Sequence, residues 1–393
     1  FQPMRKLIFV TFVIGVFALA PRTTKAQLAF TEHTIATDLS GGYQVVAADL
    51  NADGRTDLIA LASRLSELIW FENPSWQRNV IAADRAGMIN LAVHDLTGDG
   101  IPEIALAEGF STRPDQSAGI VSILEHTGDP RTPWSIKEID RVPTSHRLRW
   151  INLNNDVWLV NAPLAGETSQ PPEYRGSTPL YAYDPDNWNR TLIANDGGVV
   201  HGIQPVEWGG PSSQQSLLSA SFLGVHLHRY DNESWSRSLV HAGNPSDWPA
   251  SGSSEVDLGN VDGQHYVATI DPWHGHEVVV YTQGDGTWVR TVIDDTLEDG
   301  HTLVVGDLNR NGNDEIIAGA RRGAQVMLYQ LSENRWTKQV IDNGDMAAAG
   351  CILANLNLDD LLDIACIGSG TANLKWYENQ STIASLESSG SSR

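Results

Sequence analysis

A unit of about fifty residues recurs along this sequence and constrains the fold more than any other feature. Its clearest copy covers residues 300–341: a β-rich segment that opens with His301, the acidic turn Asp307–Glu315, and three further β-rich segments. No stretch after residue 26 keeps a helical period for three turns, so each copy is expected to form four short strands. Copies align on Asp49, Asp95 and Asp307, and weaker copies align on Asn152, Glu207, Asp257 and Asn355.

A tryptophan introduces the fourth segment of six copies, followed by the polar–apolar alternation of a half-buried strand. The last copy lacks this segment, but residues 31–39 (TEHTIATDL) match its pattern and precede the first copy. The sequence therefore predicts an all-β fold, a seven-bladed β-propeller of four-stranded blades, closed by an N-terminal strand that completes the last blade. Six tryptophans are expected to pack between blades: Trp76, Trp134, Trp188, Trp235, Trp288 and Trp336.

The ends of the chain predict export. Arg5 and Lys6 precede an apolar run over 7–20 and a small-residue cleavage pattern at 24–26, so a signal peptide over 1–26 is expected, with Met4 as the start. The propeller would then cover 27–380 and a flexible Ser-rich tail 381–393, in a secreted or periplasmic protein without a membrane span. With 26 Lys and Arg against 48 Asp and Glu, the net charge of -22 argues against nucleic acid as a partner and favours divalent cations.

The only two cysteines, Cys351 and Cys366, fall on neighbouring strands of one predicted hairpin. Counting the register back from the turn puts them one position out of line, on opposite faces of the sheet. Two buried thiols are therefore expected, with a disulfide as the alternative.

The acidic turn of the first copy, DLNADGRTD over 49–57, places oxygen ligands at positions one, three, five, seven and nine around a sharp bend at Gly54. This spacing suits calcium, which takes six to eight oxygen ligands, although a hairpin turn with ordinary Asp-Gly chemistry is the alternative. In blade 1 the expected ligands are Asp49, Asn51, Asp53, the carbonyl of Arg55 and Asp57. In blades 2 and 6 they are Asp95, Thr97, Asp99, the carbonyl of Ile101 and Glu103, and Asp307, Asn309, Asn311, the carbonyl of Asn313 and Glu315.

These copies resemble the FG-GAP or VCBS repeats of integrin-α-type propellers, whose DxDxDGxxD loops lie between the first two strands of a blade. Residues 49–57 fit that pattern position by position, whereas blades 3, 4 and 5 depart from it. The resemblance implies a propeller stabilised by structural calcium, and it implies no particular activity.

The start of each first strand lies about six residues before the acidic turn, or roughly 20 Å away on the opposite face of the propeller. The residues aligned there should ring the mouth of the central channel: Tyr43, Ile89, His146, His201, Ser251, His301 and Ala349. The turn after the second strand returns to the same face, and with an insertion in blade 3 it adds Arg64, Glu108, Tyr174, Arg175, Asp271, His274, His276, Arg321 and Arg322.

Two kinds of chemistry suit such a ring. Three histidines can hold a divalent transition metal that polarises a carbonyl group. Alternatively, a His or Tyr base can remove a proton next to a carbonyl while Arg neutralises the developing enolate. We assign catalytic roles to His146, His201, His301, Arg321, Arg322 and Tyr43, and substrate binding to the other residues from the turns and the insertion; structural histidines at strand starts are the alternative.

The Trp-led strands and the segment GHTLVVGDLNRNGNDEI (300–316) are similar to the propeller domain of the aldos-2-ulose dehydratases, enzymes that dehydrate carbohydrates. This resemblance implies a carbohydrate or glycan as partner and a carbon–oxygen lyase that acts by β-elimination. A non-catalytic propeller that presents a binding face to a protein or glycan is the alternative. The oligomeric state is left open.

Overall fold

The structure is a computed structural model that describes residues 28–154, 156–209 and 214–381. Its strands form seven four-stranded antiparallel sheets, so the predicted all-β, seven-bladed propeller is confirmed. The predicted signal peptide and all but the first residue of the predicted tail lie outside the described residues. Within the described ranges, no helix is long and apolar enough to cross a membrane, and the one helix found is a 3-10 turn at Pro114–Gln116.

The strands follow one another in chain order within each blade, except in the last. The first strand is β1 (Phe30–Ala36), and blade 1 consists of β2 (Gly42–Ala48), β3 (Asp57–Ala62), β4 (Leu68–Glu72) and β5 (Gln77–Ala82). Blade 2 consists of β6 (Asn90–His94), β7 (Glu103–Glu108), β8 (Ile120–Glu125) and β9 (Ser135–Arg141). Blade 3 consists of β10 (Ser145–Leu153), β11 (Asp156–Pro163), β12 (Ser177–Tyr183) and β13 (Arg190–Gly197). Blades 4 and 5 consist of β14 (Val200–Val206), β15 (Ser216–Ser221), β16 (Gly224–Asp231) and β17 (Ser234–His241), and of β18 (Val256–Val261), β19 (Gln264–Asp271), β20 (Glu277–Gly284) and β21 (Thr287–Asp294). Blades 6 and 7 consist of β22 (Gly300–Gly306), β23 (Glu315–Ala320), β24 (Gln325–Ser332) and β25 (Arg335–Asn343), and of β26 (Ala348–Ala354), β27 (Asp363–Gly368) and β28 (Leu374–Asn379).

The N-terminal strand closes the ring. β1 pairs antiparallel with β28 and becomes the outer strand of blade 7. Two contacts between side chains reinforce this pairing: His33 stacks on Trp376, and Glu32 forms an ion pair with Lys375. Because the first and last strands of the described chain share one sheet, blade 7 has no unpaired outer position.

The hydrophobic core lies between the blades. The second and third strands are buried on both faces, and their side chains meet those of the neighbouring blade in a series of apolar clusters. Each of the six predicted tryptophans packs against one of these clusters; Trp134 is buried and the other five are half-buried. The expected role of these tryptophans between blades is therefore confirmed.

The expectation for the cysteines is wrong, because Cys351 and Cys366 form a disulfide. The ladder between β26 and β27 begins with Ala354 opposite Asp363, so that the two cysteines are direct cross-strand partners with Cα atoms 4.2 Å apart. The register count from the turn was off by one residue, and that error moved one cysteine to the other face.

Candidate functional site

The inner strands bend at their first residues. In five blades the pairing of the first two strands skips one residue at this point, which marks a β-bulge, and a bulge turns its side chain out of the regular alternation. The residue skipped in each case is one that the sequence placed at the channel mouth: Tyr43, His146, His201, His301 and Ala349. We call these positions the inner ring.

Blade 5 contributes Glu255 to the inner ring, so the expected Ser251 is wrong. Asp257 resembles the first residue of an acidic turn, but it lies inside β18, which joins β19 through the short turn Asp262–Gly263. Aligning the blade on Asp257 therefore shifted its ring position by four residues. Glu255 accepts from two groups of the ring: its Oε1 lies 2.7 Å from His201 Nδ1 and 2.9 Å from Arg147 Nη2.

Three histidines converge beside the ring. One nitrogen from each of His201, His274 and His301 lies within 4.8 Å of the other two. His274 reaches this cluster from the turn between β19 and β20, where its backbone adopts the unfavourable φ of 50°. His201 Nε2 and His274 Nε2 are 3.2 Å apart, close to the separation of about 3.3 Å between two nitrogens on one tetrahedral metal ion.

The second nitrogen of each imidazole is held by another group. His201 Nδ1 contacts the carboxylate of Glu255, and His301 Nδ1 donates to the carbonyl of Ala349 at 2.6 Å. His274 Nδ1 lies 3.0 Å from Arg321 Nη2 and 3.6 Å from Asp299 Oδ1. For His201 and His301, contact with a carboxylate or a carbonyl is typical of metal ligands, because it fixes the tautomer and turns the other nitrogen to the metal. His274 differs, because Arg321 donates to its Nδ1.

The histidines are neutral at physiological pH. Burial lowers the pKa of His201 well below its usual range, and the positive charge of Arg147 lowers it further. Burial also lowers the pKa of His301, with Arg321 as the next cause, and it lowers the pKa of His274 to about 4. Among the described residues, His301 Nε2 is buried without a hydrogen-bond partner. These neutral nitrogens fit a metal ion, which binds the deprotonated imidazole.

A second group of the ring can exchange a proton. The hydroxyl oxygen of Tyr43 lies 2.8 Å from His146 Nε2, and Arg147 Nη1 lies within 3.3 Å of both groups. Burial and then the charge of Arg147 lower the pKa of His146, so this imidazole is also neutral and its Nε2 can accept a hydrogen bond from the Tyr43 hydroxyl. The guanidinium of Arg147 would stabilise a phenolate at Tyr43.

Both groups border a cavity of about 530 Å³ that follows the inner strands. Tyr43, Arg147, Glu255 and His301 line it at the ring, and residues further along the strands, such as Val305, line it beyond. A cavity of this size suits a small organic ligand, since ligand pockets usually measure about 300–1,000 Å³.

The remaining predicted residues lie in other surroundings. Glu108 is buried and pairs with Arg85, and Asp271 is buried and pairs with Arg290. Tyr174 is buried in a small apolar cluster under the blade 3 insertion. Arg321 reaches the site through His274, and the other four are exposed: Arg64, Arg175, His276 and Arg322. Their predicted roles stay predictions.

Three residues at the site were missed from the sequence. Arg147 follows a ring histidine directly, and the alternation in HRLRW (146–150) was a signal for it. Glu255 was hidden by the misaligned blade. Trp273 packs against His274 with ring centroids 4.7 Å apart, and nothing in its local sequence distinguishes it from the other tryptophans.

The acidic turns hold their first residue in one arrangement. The second carboxylate oxygen of Asp49, Asp95 and Asp307 accepts the backbone N–H five residues later, at 2.8 to 2.9 Å. The last residue of each turn closes it onto the start: Glu103 Oε2, for example, accepts from the backbone N–H of Leu96. Glu103 Oε1 is buried without a hydrogen-bond partner among the described residues, which fits a cation ligand. Calcium at these turns stays a prediction.

Two segments of this chain match models of known protein families. Residues 49–106 match the FG-GAP-like repeat. Residues 118–284 match the β-propeller domain of aldos-2-ulose dehydratase. The matched segments include His146, His201, Glu255 and His274 of the site, and both resemblances seen in the sequence are confirmed.

Among curated proteins, the aldos-2-ulose dehydratase of Phanerodontia chrysosporium is 26% identical to this chain over 295 residues. The alignment covers 65% of this chain but 32% of the relative, so this chain matches about a third of that protein. A solved chain from the crystal structure of a mitotic checkpoint complex superposes with a TM-score of 0.60 at 12% identity and covers 95% of this chain and 99% of its own. That likeness concerns the fold alone.

Proposed function

We propose that this propeller is a carbohydrate dehydratase that removes water from a small keto sugar by β-elimination in the cavity beside the inner ring. The observation that carries the proposal is the cluster of His201, His274 and His301, each with its second nitrogen held and its pKa lowered. The similarity to the propeller of aldos-2-ulose dehydratase supports a sugar substrate.

The three histidines would hold a divalent transition metal such as zinc, each through one ring nitrogen. When bound, this ion would supply a Lewis acid for the keto oxygen of the sugar. Glu255 and the carbonyl of Ala349 would orient His201 and His301 for this role. Arg321, itself paired with Asp299, would position His274 through its Nδ1.

Tyr43 and His146 would move the protons of the elimination. The Tyr43 hydroxyl gives its proton to His146 Nε2, 2.8 Å away, and the phenolate takes the proton from the carbon next to the carbonyl. The electrons of that C–H bond form the new double bond as the hydroxyl on the following carbon departs. Protonated His146 returns its proton, through Tyr43, to the departing hydroxyl, which leaves as water. Arg147 offsets the negative charge on the phenolate and the enolate.

The propeller would also be exported and carry structural calcium at its acidic turns. The buried, unpartnered Glu103 Oε1 and the shared arrangement of Asp49, Asp95 and Asp307 support the calcium. The apolar run over 7–20 behind Arg5 and Lys6 supports the export.

The test compares the parent with His301→Ala and, as a matched control, with His265→Ala, which removes an exposed histidine far from the ring. Each protein is incubated with a panel of aldos-2-uloses and followed by the absorbance of the unsaturated product, and its metal content is measured by mass spectrometry. We expect one equivalent of transition metal and turnover in the parent and control. His301→Ala should lose both while its calcium-dependent shift in melting temperature stays unchanged.

A parent that binds sugars without turnover would instead support a non-catalytic glycan-binding propeller. Turnover by His301→Ala at the rate of the parent would contradict the role of the histidine cluster.

A further inference from the structure

The cavity holds two more charged side chains, one step further along the inner strands than the ring. Arg149 lies three residues after His146 on β10, and Asp257 lies two residues after Glu255 on β18. Both line the same cavity as Tyr43 and His301. Two residues of a strand advance by about 6.6 Å, so this second level lies roughly one sugar ring beyond the reactive groups.

The two charges do not meet. Arg149 Nη1 donates to the carbonyl of Leu148 at 2.8 Å and to Asn90 Oδ1 at 3.4 Å, and in the described ranges no carboxylate lies within 4.0 Å of its nitrogens. Among the residues that the structure describes, the partners of Asp257 are two backbone N–H groups, those of Leu258 at 2.9 Å and Val305 at 3.0 Å. The ring above behaves differently, because Arg147 and Glu255 are in direct contact.

The electrostatics of the two levels differ accordingly. Burial lowers the pKa of Arg147, but Tyr43 and Glu255 outweigh that effect and leave the pKa raised. Burial also lowers the pKa of Arg149, to about 10, and the charge of Arg147 adds to the effect. Burial raises the pKa of Asp257 to about 7 in spite of its two N–H contacts and of the nearby charge of Arg149. Arg149 and Asp257 thus lie half-buried in the cavity without the direct contact that joins Arg147 and Glu255 above them.

A group with both a donor and an acceptor can satisfy these two side chains at once. A guanidinium only donates hydrogen bonds and a carboxylate only accepts them, whereas a hydroxyl group does both. A hydroxyl between them would accept from Arg149 and donate to Asp257, and the low local dielectric strengthens both bonds.

We propose that Arg149 and Asp257 form a hydroxyl-binding subsite that holds the end of a pyranose ring opposite its reacting carbons. The inference deepens the proposed function, because it selects sugars with a free hydroxymethyl group at C5, the ring atom opposite C2. It requires only binding, so it is tested without turnover.

Binding is measured by calorimetry with methyl β-D-glucopyranoside, its 6-deoxy analogue and methyl β-D-glucuronopyranoside, none of which carries a keto group. We expect the parent to bind the glucoside roughly tenfold more tightly than the 6-deoxy analogue, as the loss of one buried charged hydrogen-bond contact predicts. In Arg149→Gln and in Asp257→Asn this preference should fall to about onefold. Arg149→Lys, which keeps the charge, should retain part of the preference.

Arg335→Gln and Asp186→Asn remove the same charges at exposed positions on outer parts of the blades and should bind like the parent. Melting curves and circular dichroism establish that each variant is folded. The subsite is refuted if the preference for the glucoside persists in both channel variants, or if the parent binds none of the three sugars. Tightest binding of the glucuronide would also overturn it, since that result indicates an anion site.

The two proposals fail separately. Absence of turnover together with a preference that depends on Arg149 and Asp257 would contradict the dehydratase and leave the subsite standing. Turnover together with unchanged sugar preferences in the variants would contradict the subsite and leave the dehydratase standing.

Discussion

The side chains of the inner ring have different proposed roles. Loss of the Tyr43 hydroxyl should affect catalysis and leave the binding of substrate and metal unchanged. In Tyr43→Phe the ring still packs against His301, with which Tyr43 makes an edge contact at 5.1 Å between centroids. The proton route to His146 is lost, so we expect kcat to fall at least about 100-fold while KM and metal content stay near the parent values. Steady-state kinetics and metal analysis check this. Tyr230→Phe, in the outer part of blade 4, is the control, and an undiminished kcat in Tyr43→Phe would rule out its role.

The same residues show how far a sequence can locate a site. His146, His201 and His301 could be identified because each stands the same number of residues before the aligned turn of its blade. Glu255 was missed because Asp257 imitates the start of such a turn while lying inside a strand. His274 was assigned to the correct face, but its approach to His201 depends on a turn with positive φ, which the residue types there did not indicate.

Among the elements of the fold, the acidic turns are the most regular and the easiest to predict. If they bind calcium, a chelator should lower the melting temperature of the parent, and excess calcium should restore it. Glu103→Gln keeps the size of the side chain and removes the charge on its unpartnered oxygen, so we expect a smaller shift with calcium in this variant. Scanning calorimetry with chelator, calcium and magnesium measures the shifts. A parent whose melting is unaffected by chelator would remove calcium from these turns.

The blade 7 hairpin marks the limit of prediction at this scale. Its strands were identified correctly, yet the disulfide between Cys351 and Cys366 was not expected. Strand existence follows from an extended pattern of many residues, whereas a cross-strand pair depends on the register, and one residue of error reverses the face. The same reason explains why the blades were all found while one ring position was wrong.

At the scale of the whole molecule, polar contacts link several neighbouring blades, and the link between blades 3 and 4 is made by a histidine. At three interfaces a tyrosine on the third strand of one blade donates to an aspartate from the preceding blade: Tyr183 to Asp140, Tyr329 to Asp294 and Tyr377 to Asp342. Between blades 3 and 4 the corresponding residue is His228, which shares Ser219 with Asp196.

This histidine makes the interface between blades 3 and 4 sensitive to acid. Burial lowers the pKa of His228 to about 4. As the pH falls from about 6.5 to 4, the unfolded chain binds a proton that the folded protein does not, so stability falls over this range. His228→Gln should remove up to about 3 kcal/mol of that loss. Urea unfolding at several pH values measures it, with His265→Gln as the control. Other buried groups titrate in both proteins and cancel in the difference, so parallel curves for His228→Gln and the parent would contradict this account.

Closure of the ring depends on the pairing of β1 with β28. Removing Leu28–Ala36 would take away β1 and leave β28 as an unpaired edge, with Trp376 without its partner His33. It would also remove Leu28, which is buried between blades 6 and 7 and accepts a hydrogen bond from Gln339 through its carbonyl. We expect the free energy of unfolding to fall by at least about 3 kcal/mol, because several apolar side chains that β1 and Leu28 bury become exposed to solvent.

A synthetic peptide of residues 28–40 distinguishes loss of closure from general damage. Added to the truncated protein, it should bind at the open edge of blade 7 and raise the melting temperature toward that of the parent, in proportion to the logarithm of its concentration above Kd. A peptide of the same composition in scrambled order should have no effect, because its alternating pattern no longer matches the buried face of β28. If the truncated protein melted like the parent, the ring would not depend on its N-terminal strand for stability, and closure by β1 would be a matter of geometry alone.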